Sequence, residues 1–210
     1  MVLGKTENTP PPLCPEHCMV QGTVSLFMRT ADGERSPYKL PKDGRIYAWS
    51  LDLADITGDQ ADIFTGDTRF KAPASARIGV VKPQGNDRFK LLRQSPKIAL
   101  EPFFGSKPIV TLKKPLNARK GDVVVLTLPG WAPSYYCPIQ ETDTGFSCAD
   151  EGNFARRNLM VASRTPEECT SLPEDILGAK PQQKIGGTRR YGCKLDGERM
   201  LYRAFWAPRG

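Results

Sequence analysis

Residues 119 to 133 read RKGDVVVLTLPGWAP. Arg119-Lys120-Gly121-Asp122 is turn chemistry, and the apolar run behind it, Val123-Val124-Val125-Leu126, has no alternation. A short apolar run without a period of two predicts a strand covered on both faces, at the centre of a sheet. Upstream lie further strand candidates at Ala76 to Lys82, Arg88 to Gln94, Lys97 to Leu100 and Pro108 to Lys113. Turn signals separate them at Pro83-Gln84-Gly85-Asn86-Asp87, Ser95-Pro96 and Gly105-Ser106. Strands at roughly ten-residue intervals, with no helical pattern between them, predict an antiparallel architecture and not βαβ units.

Two earlier segments repeat the device. Over Met19 to Thr30, Val20, Val24, Leu26 and Met28 share one parity, the pattern of a half-buried strand. Over Arg45 to Ala54, Tyr47, Trp49, Leu51 and Leu53 share one face against Ala48, Ser50 and Asp52. Phe154 to Arg164 and Met200 to Trp206 complete the set, the latter returning the C-terminus to the sheet. The prediction is an all-β fold, an antiparallel β-sandwich or jelly roll of about eight to ten strands with disulfide-pinned loops. Residues 1–18 form a flexible Pro-rich lead with a short Cys loop, residues 19–210 a single domain, and about 133–198 a loop-rich, cysteine-bearing region. Asp55 to Ala72 reads as an acidic loop and Pro173 to Leu177 as one helical turn. With 19 Gly and 19 Pro in 210 residues, long helices are broken repeatedly, which excludes an all-α bundle.

Cys14, Cys18, Cys137, Cys148, Cys169 and Cys193 are an even set, most of them in loop-like sequence. Fifteen pairings are open to six cysteines. The sequential one, Cys14 with Cys18, Cys137 with Cys148 and Cys169 with Cys193, is preferred because each pair brackets a short loop. Closing such loops is worth about 2, 3 and 3.5 kcal/mol in the chain-entropy picture. Disulfides imply an oxidising compartment, hence a secreted, extracellular or cell-surface protein. Residues 1 to 12, MVLGKTENTPPP, lack the basic and apolar regions of a signal peptide, so the chain is expected to be a mature form. No apolar run approaches the roughly 18 residues needed to span a bilayer. Cys14-Pro-Glu-His-Cys18 has no second half to complete a zinc site, and His17 is expected to be an exposed residue of a tight loop.

Charge is unevenly placed. The chain carries +7, yet residues 71 to 140 alone hold 12 Lys and Arg against 3 Asp and Glu. Lys82, Lys90, Lys97, Lys113, Lys114 and Lys120 belong to this block and mark a basic sheet face. Such a face either protects sheet edges and solubility or holds an anionic surface, such as a polysaccharide or cell-wall polymer. No nucleic-acid-binding pattern is present, so nucleic acid is an unlikely partner while a protein partner stays open.

Catalytic signatures are missing: one His, and no GxSxG, HExxH, GxGxxG or P-loop. The expectation is no enzyme and no cofactor. Asp55, Asp59 and Asp62, with Asp52 and Asp67 nearby, are hard oxygen ligands that could hold calcium, although the EF-hand order is not matched; the alternative is a solvated acidic loop. Trp131, Tyr135 and Tyr136, in GWAPSYYC, would either stack on sugar rings or cap the open end of the sandwich.

RIYAWSLDLA, ARIGVVKPQG, FKLLRQSPKI, RKGDVVVLTLPGWAP and LYRAFW resemble segments of secreted bacterial β-sandwich proteins, over roughly Val20 to Pro133 plus the last strand. Gly121-Asp122 before an apolar strand is also similar to the turn of jelly-roll carbohydrate-binding modules. The resemblance implies an extracellular β-sandwich and carries no site residue. The expected function is a non-catalytic structural or adhesion protein whose basic sheet meets anionic surfaces, with a carbohydrate-binding module using the aromatic loop as the alternative.

Overall fold

The computed structural model describes residues 1–6, 8–14, 16–65, 70, 72–142, 145–149, 152–170 and 183–209. In chain order its elements are β1 (Val2–Leu3), β2 (Gln21–Ala31), β3 (Glu34–Arg35), β4 (Gly44–Leu51), α1 (Gly58–Thr65), β5 (Ser75–Pro83), β6 (Arg88–Gln94), β7 (Ile98–Ala99), β8 (Ile109–Ala118) and β9 (Val123–Ala132). There follow β10 (Tyr135–Tyr136), β11 (Ile139–Thr142), β12 (Gly145–Cys148), α2 (Gly152–Arg157), β13 (Leu159–Ala162), α3 (Pro166–Thr170), β14 (Thr188–Arg190), β15 (Cys193–Asp196), β16 (Arg199–Met200) and β17 (Tyr202–Pro208). The large sheet runs β14-β6-β5-β9-β2-β13-β15, the small one β1-β17-β4-β8, and β10-β16 and β11-β12 are separate ribbons. All ladders are antiparallel, so the architecture is the expected antiparallel β-sandwich.

β9 occupies the centre, as its unalternating valines predict: it pairs with β2 on one edge and β5 on the other. Where β2 departs, residues 38–40 continue its edge, with Val124 N donating to Tyr38 O at 3.0 Å. By register, Leu26, Ile78 and Leu126 form one row of the inner face, with Val80 and Val124 two residues along. They join one core with Ile46, Trp49 and Trp206 of the small sheet. Tyr202 ties the sheets together: its hydroxyl donates to Val124 O at 3.1 Å and its ring stacks on Tyr38 at 4.1 Å.

The opposite face of the large sheet is covered too. Phe27, Phe89 and Tyr191 meet with ring centroids 5.0–5.6 Å apart. The Tyr191 hydroxyl donates to Gln183 Oε1 at 2.8 Å, and Gln183 Nε2 donates to Phe89 O at 2.7 Å. β2 is therefore buried on both faces along Val24–Met28 and not half-buried.

Several expectations are corrected. The N-terminal lead is docked and not loose: β1 pairs with β17, and the buried Arg199 donates to Asn8 O at 3.0 Å and Thr6 Oγ1 at 2.7 Å. The acidic segment holds helix α1, started by a capping box in which Gln60 N donates to Thr57 Oγ1 at 3.3 Å and Thr57 N to Gln60 Oε1 at 3.2 Å. In β4 the register slips on both edges at Tyr47, which leaves Tyr47 exposed while Trp49 is buried. A bulge adds one residue to a strand and so inverts the parity read from sequence. Phe154 belongs to α2, and only Leu159–Ala162 of the predicted strand is extended. The region 133–198 contributes β13, β14 and β15 to the large sheet, and many strands are of two to four residues, too short to show a period. His17 is half-buried. The helical turn expected at Pro173 to Leu177 lies outside the described residues. Cysteine pairing is the sequential one, Cys14–Cys18, Cys137–Cys148 and Cys169–Cys193.

Gly130 exists for a close approach of chains: a Cβ there would overlap Pro73 O, and Gly130 N donates to Ser75 Oγ at 3.0 Å. Gly130→Ala is expected to lower unfolding free energy by at least about 2 kcal/mol in urea titrations, because backbone at the core must move. Tyr202→Phe, which strands the Val124 carbonyl, should cost about 1 kcal/mol in the same assay.

Candidate functional site

The predicted basic residues do not form one patch. On β5 and β6, Lys82 stands directly opposite Lys90, and Lys90 in turn opposite Thr188 of β14. One step along the same face, Arg88 stands directly opposite Arg190. Lys82, Arg88, Lys90 and Arg190 are all exposed, and among the described residues none is in an ion pair. Like charges directly opposite on neighbouring strands destabilise a sheet, by a few tenths of a kcal/mol up to about 1 kcal/mol per pair. Two such pairs side by side form a cationic grid across three strands. Farther along the same face Ile78 and Val80 are fully buried, so the grid lies on the rim that the smaller sheet leaves uncovered.

The turn beneath the grid is rigidly held. Gly85, Asn86 and Asp87 have φ of 80°, 50° and 56°, a left-handed run that glycine, asparagine and aspartate tolerate best. Asp87 accepts from Arg29 Nη2 at 2.6 Å and faces Lys194 Nζ at 3.6 Å. The Arg29 hydrogen bond, ahead of the opposing effect of burial, holds the Asp87 carboxyl below its ordinary value. Beyond the grid, Glu167 is held below its ordinary value by the Thr165 hydroxyl first, its own backbone next, and more weakly by Arg190.

The other lysines lie apart from the grid. Lys113 and Lys114 are exposed on β8, the edge of the small sheet, just before Pro115. Lys97 is exposed between β6 and β7. Lys120 is exposed in the β8–β9 turn, where its backbone N donates to Asp43 Oδ1 at 2.8 Å. Arg190 was hidden from sequence reasoning because it belongs to a three-residue strand in a segment that reads as loop; the Thr-Arg-Arg triplet was the only signal.

The aromatic cluster is interior. Trp131 is fully buried, its ring 5.2 Å from Phe64 of α1 and 5.7 Å from Phe104, with Nε1 donating to Thr65 Oγ1 at 3.3 Å. Tyr135 is 2% exposed, its hydroxyl 3.3 Å from Cys148 Sγ. Only Tyr136 is partly accessible, edge-on to Phe154. Trp131 and Tyr135 therefore offer no ring face for a sugar, and the geometry is that of a cap on the sandwich. The calcium candidates also diverge: Asp59 and Asp62 ride on α1, Asp52 pairs with Lys107 at 2.9 Å and Arg203 at 3.7 Å, and Asp67 lies outside the described residues. Among the described residues no three His, Cys, Asp or Glu converge to hold a metal ion, so the calcium reading of Asp55, Asp59 and Asp62 finds no geometry.

One half-buried acid escaped the sequence reading. Glu198, in the β15–β16 turn, has a buried Oε2 with no hydrogen-bond partner. Burial pushes its carboxyl up to about 7; Tyr135, hydrogen-bonded to it, pulls down, and Asp196 pushes up.

Compared with protein-family models, curated proteins and solved structures, the chain matches none.

Because the Glu198 carboxyl binds its proton more tightly in the folded than in the unfolded chain, its stabilising effect is full below about pH 4.5 and is lost as pH rises through about 7. The wild-type melting temperature should fall between pH 5 and pH 8, and Glu198→Gln, which keeps an acceptor for Tyr135, should flatten that fall.

Proposed function

We propose that this is an extracellular binding protein that attaches to anionic polymers or surfaces through the Lys82, Arg88, Lys90 and Arg190 grid. The observation that carries the reading is the pair of directly opposed like-charge contacts, Lys82 with Lys90 and Arg88 with Arg190, on one exposed face. An arrangement that costs folding free energy is compensated when a polyanion neutralises it, and the regular cross-strand spacing suits a repeating anion. Four cations on a rigid sheet lose little conformational freedom on binding, so their attraction is not consumed by ordering the backbone. The extracellular setting is supported by three disulfides, which persist where the surroundings are oxidising. No helix among the described residues is long and apolar enough to cross a membrane. The activity is adhesion or structure and not catalysis, with sulfated or carboxylated polysaccharide as the chemical class of partner.

Retention on immobilised heparin tests this. Wild type should be held at low salt and released as salt rises, and Lys82→Glu/Lys90→Glu should elute at clearly lower salt. The slope of log affinity against log salt should fall by about two for the two cations removed, since each releases its own counterion. Unchanged elution of the double variant would refute the grid as the binding surface.

A further inference from the structure

We propose that the open seam between β6 and β8 is a docking groove for an extended, acidic segment of a partner protein, which lies along the two strand edges as an added strand. This goes beyond the polyanion reading and does not depend on it, because it rests on a different place and different observations.

A groove of about 390 Å³ separates Leu92–Pro96 from Lys114–Asn117, where the edges of the two sheets come together. Both walls are unfinished backbone. β14 covers β6 only over residues 88–90, and β8 pairs with β4 alone, so the outward edges of Leu92–Gln94 and Lys114–Asn117 have no strand partner among the described residues. The link across the seam is Arg93 Nη1 donating to Asn117 O at 3.2 Å. Unpaired edges are templates for an incoming strand, which is how many proteins take up extended peptides.

The lining fits such a segment. Leu92 is the extra residue of a bulge, since Val80 and Val81 oppose Arg93 and Leu91, and it lines the groove with Pro96, Leu116 and Ile185. Ile185 is a large aliphatic side chain that is 60% exposed. Gln94, in the same lining, keeps its Oε1 buried with no hydrogen-bond partner, an acceptor that a peptide N–H suits. Among the described residues no aromatic ring lines the groove, so they offer no flat platform on which sugars stack.

Charge selects the occupant. Among the described residues Arg93 and Lys114 line the groove and no carboxylate does, and Lys113 adjoins it. A second copy of this chain would bring Lys113, Lys114 and Arg93 against their own likenesses, whereas an acidic strand with aliphatic anchors meets opposite charge at the rim and apolar surface on the floor. Pro115, which has no N–H to give, confines pairing on the β8 side to its neighbours.

The full chain titrated with a short capped peptide of alternating glutamate and valine, followed by amide NMR, is the test. Saturable binding that shifts the amides of Leu92–Gln94, Lys114 and Asn117, that weakens several-fold in Ile185→Ser and Arg93→Gln, and that persists in Lys82→Glu/Lys90→Glu supports the groove. A lysine and valine peptide should not bind. No saturable binding of the acidic peptide, equal binding of the basic one, indifference to Ile185→Ser with an unchanged melting temperature, or heparin shifting these amides where the peptide does not, would each overturn the proposal. The heparin retention of the lysine double variant reads the grid separately, so either idea fails without the other.

Discussion

The structure depends on the double enclosure of β9. Its backbone is bonded on one edge to β2 and residues 38–40 and on the other to β5, and Val124, Val125 and Leu126 are fully buried. A strand so placed pairs its backbone along its ladders, with the Tyr202 hydroxyl meeting the Val124 carbonyl, which is what lets an apolar run sit at the centre of a protein. The same enclosure requires packing on both faces: one between the sheets, held by Tyr202 reaching Val124 O, and one on the outer face built from Phe27, Phe89 and Tyr191. Once β9 is fixed, β5 and β6 are carried toward the rim, and the charged grid follows from where coverage stops.

The grid shows how coverage and charge are matched. Ile78 and Val80 share a face with Lys82, yet the first two are beneath the small sheet and the last is in water. Charged groups are avoided inside because transfer of an unpaired cation from water is prohibitive, and are tolerated outside because solvent screens their repulsion. Arg190 reaches the grid through the C-terminal part of the chain, which the β14–β6 ladder, Gln183 Nε2 donating to Phe89 O and Tyr191 N donating to Asp87 O hold beside β6. Hydrogen bonds to β6 and its turn thus position a cation that belongs to no long strand.

Buried polar groups play a parallel part at the opposite end. Asp52, 1% exposed, is met by Lys107 and Arg203, and Arg199 fastens residues 6 and 8 of the lead. Pro-rich polar sequence forms no structure by itself; here arginine donors supply the partners that its carbonyls and hydroxyls would otherwise find in water. Glu198 stands out against this pattern, since one of its oxygens is buried and unmatched, and it therefore keeps a proton into the neutral range.

Period, spacing and composition made legible the fold class, the central position of Val123–Leu126 and the concentration of positive charge in residues 71 to 140, and they favoured, among fifteen open pairings, the cysteine pairing between near neighbours that the structure has. Each of these is a local property, readable from period, spacing or composition. The α1 capping box of Thr57 and Gln60 was also legible, as a threonine followed three residues later by glutamine, but the acidic composition around it reads as loop. The rest depends on contacts between residues far apart in the chain. The bulge at Tyr47 inverted a parity because register is set by the partner strands. Trp131 went inside because α1 and Phe104 close over it. Lys82, Lys90, Arg88 and Arg190 came together because sheet neighbours are chosen by long-range pairing, which no window along the chain contains.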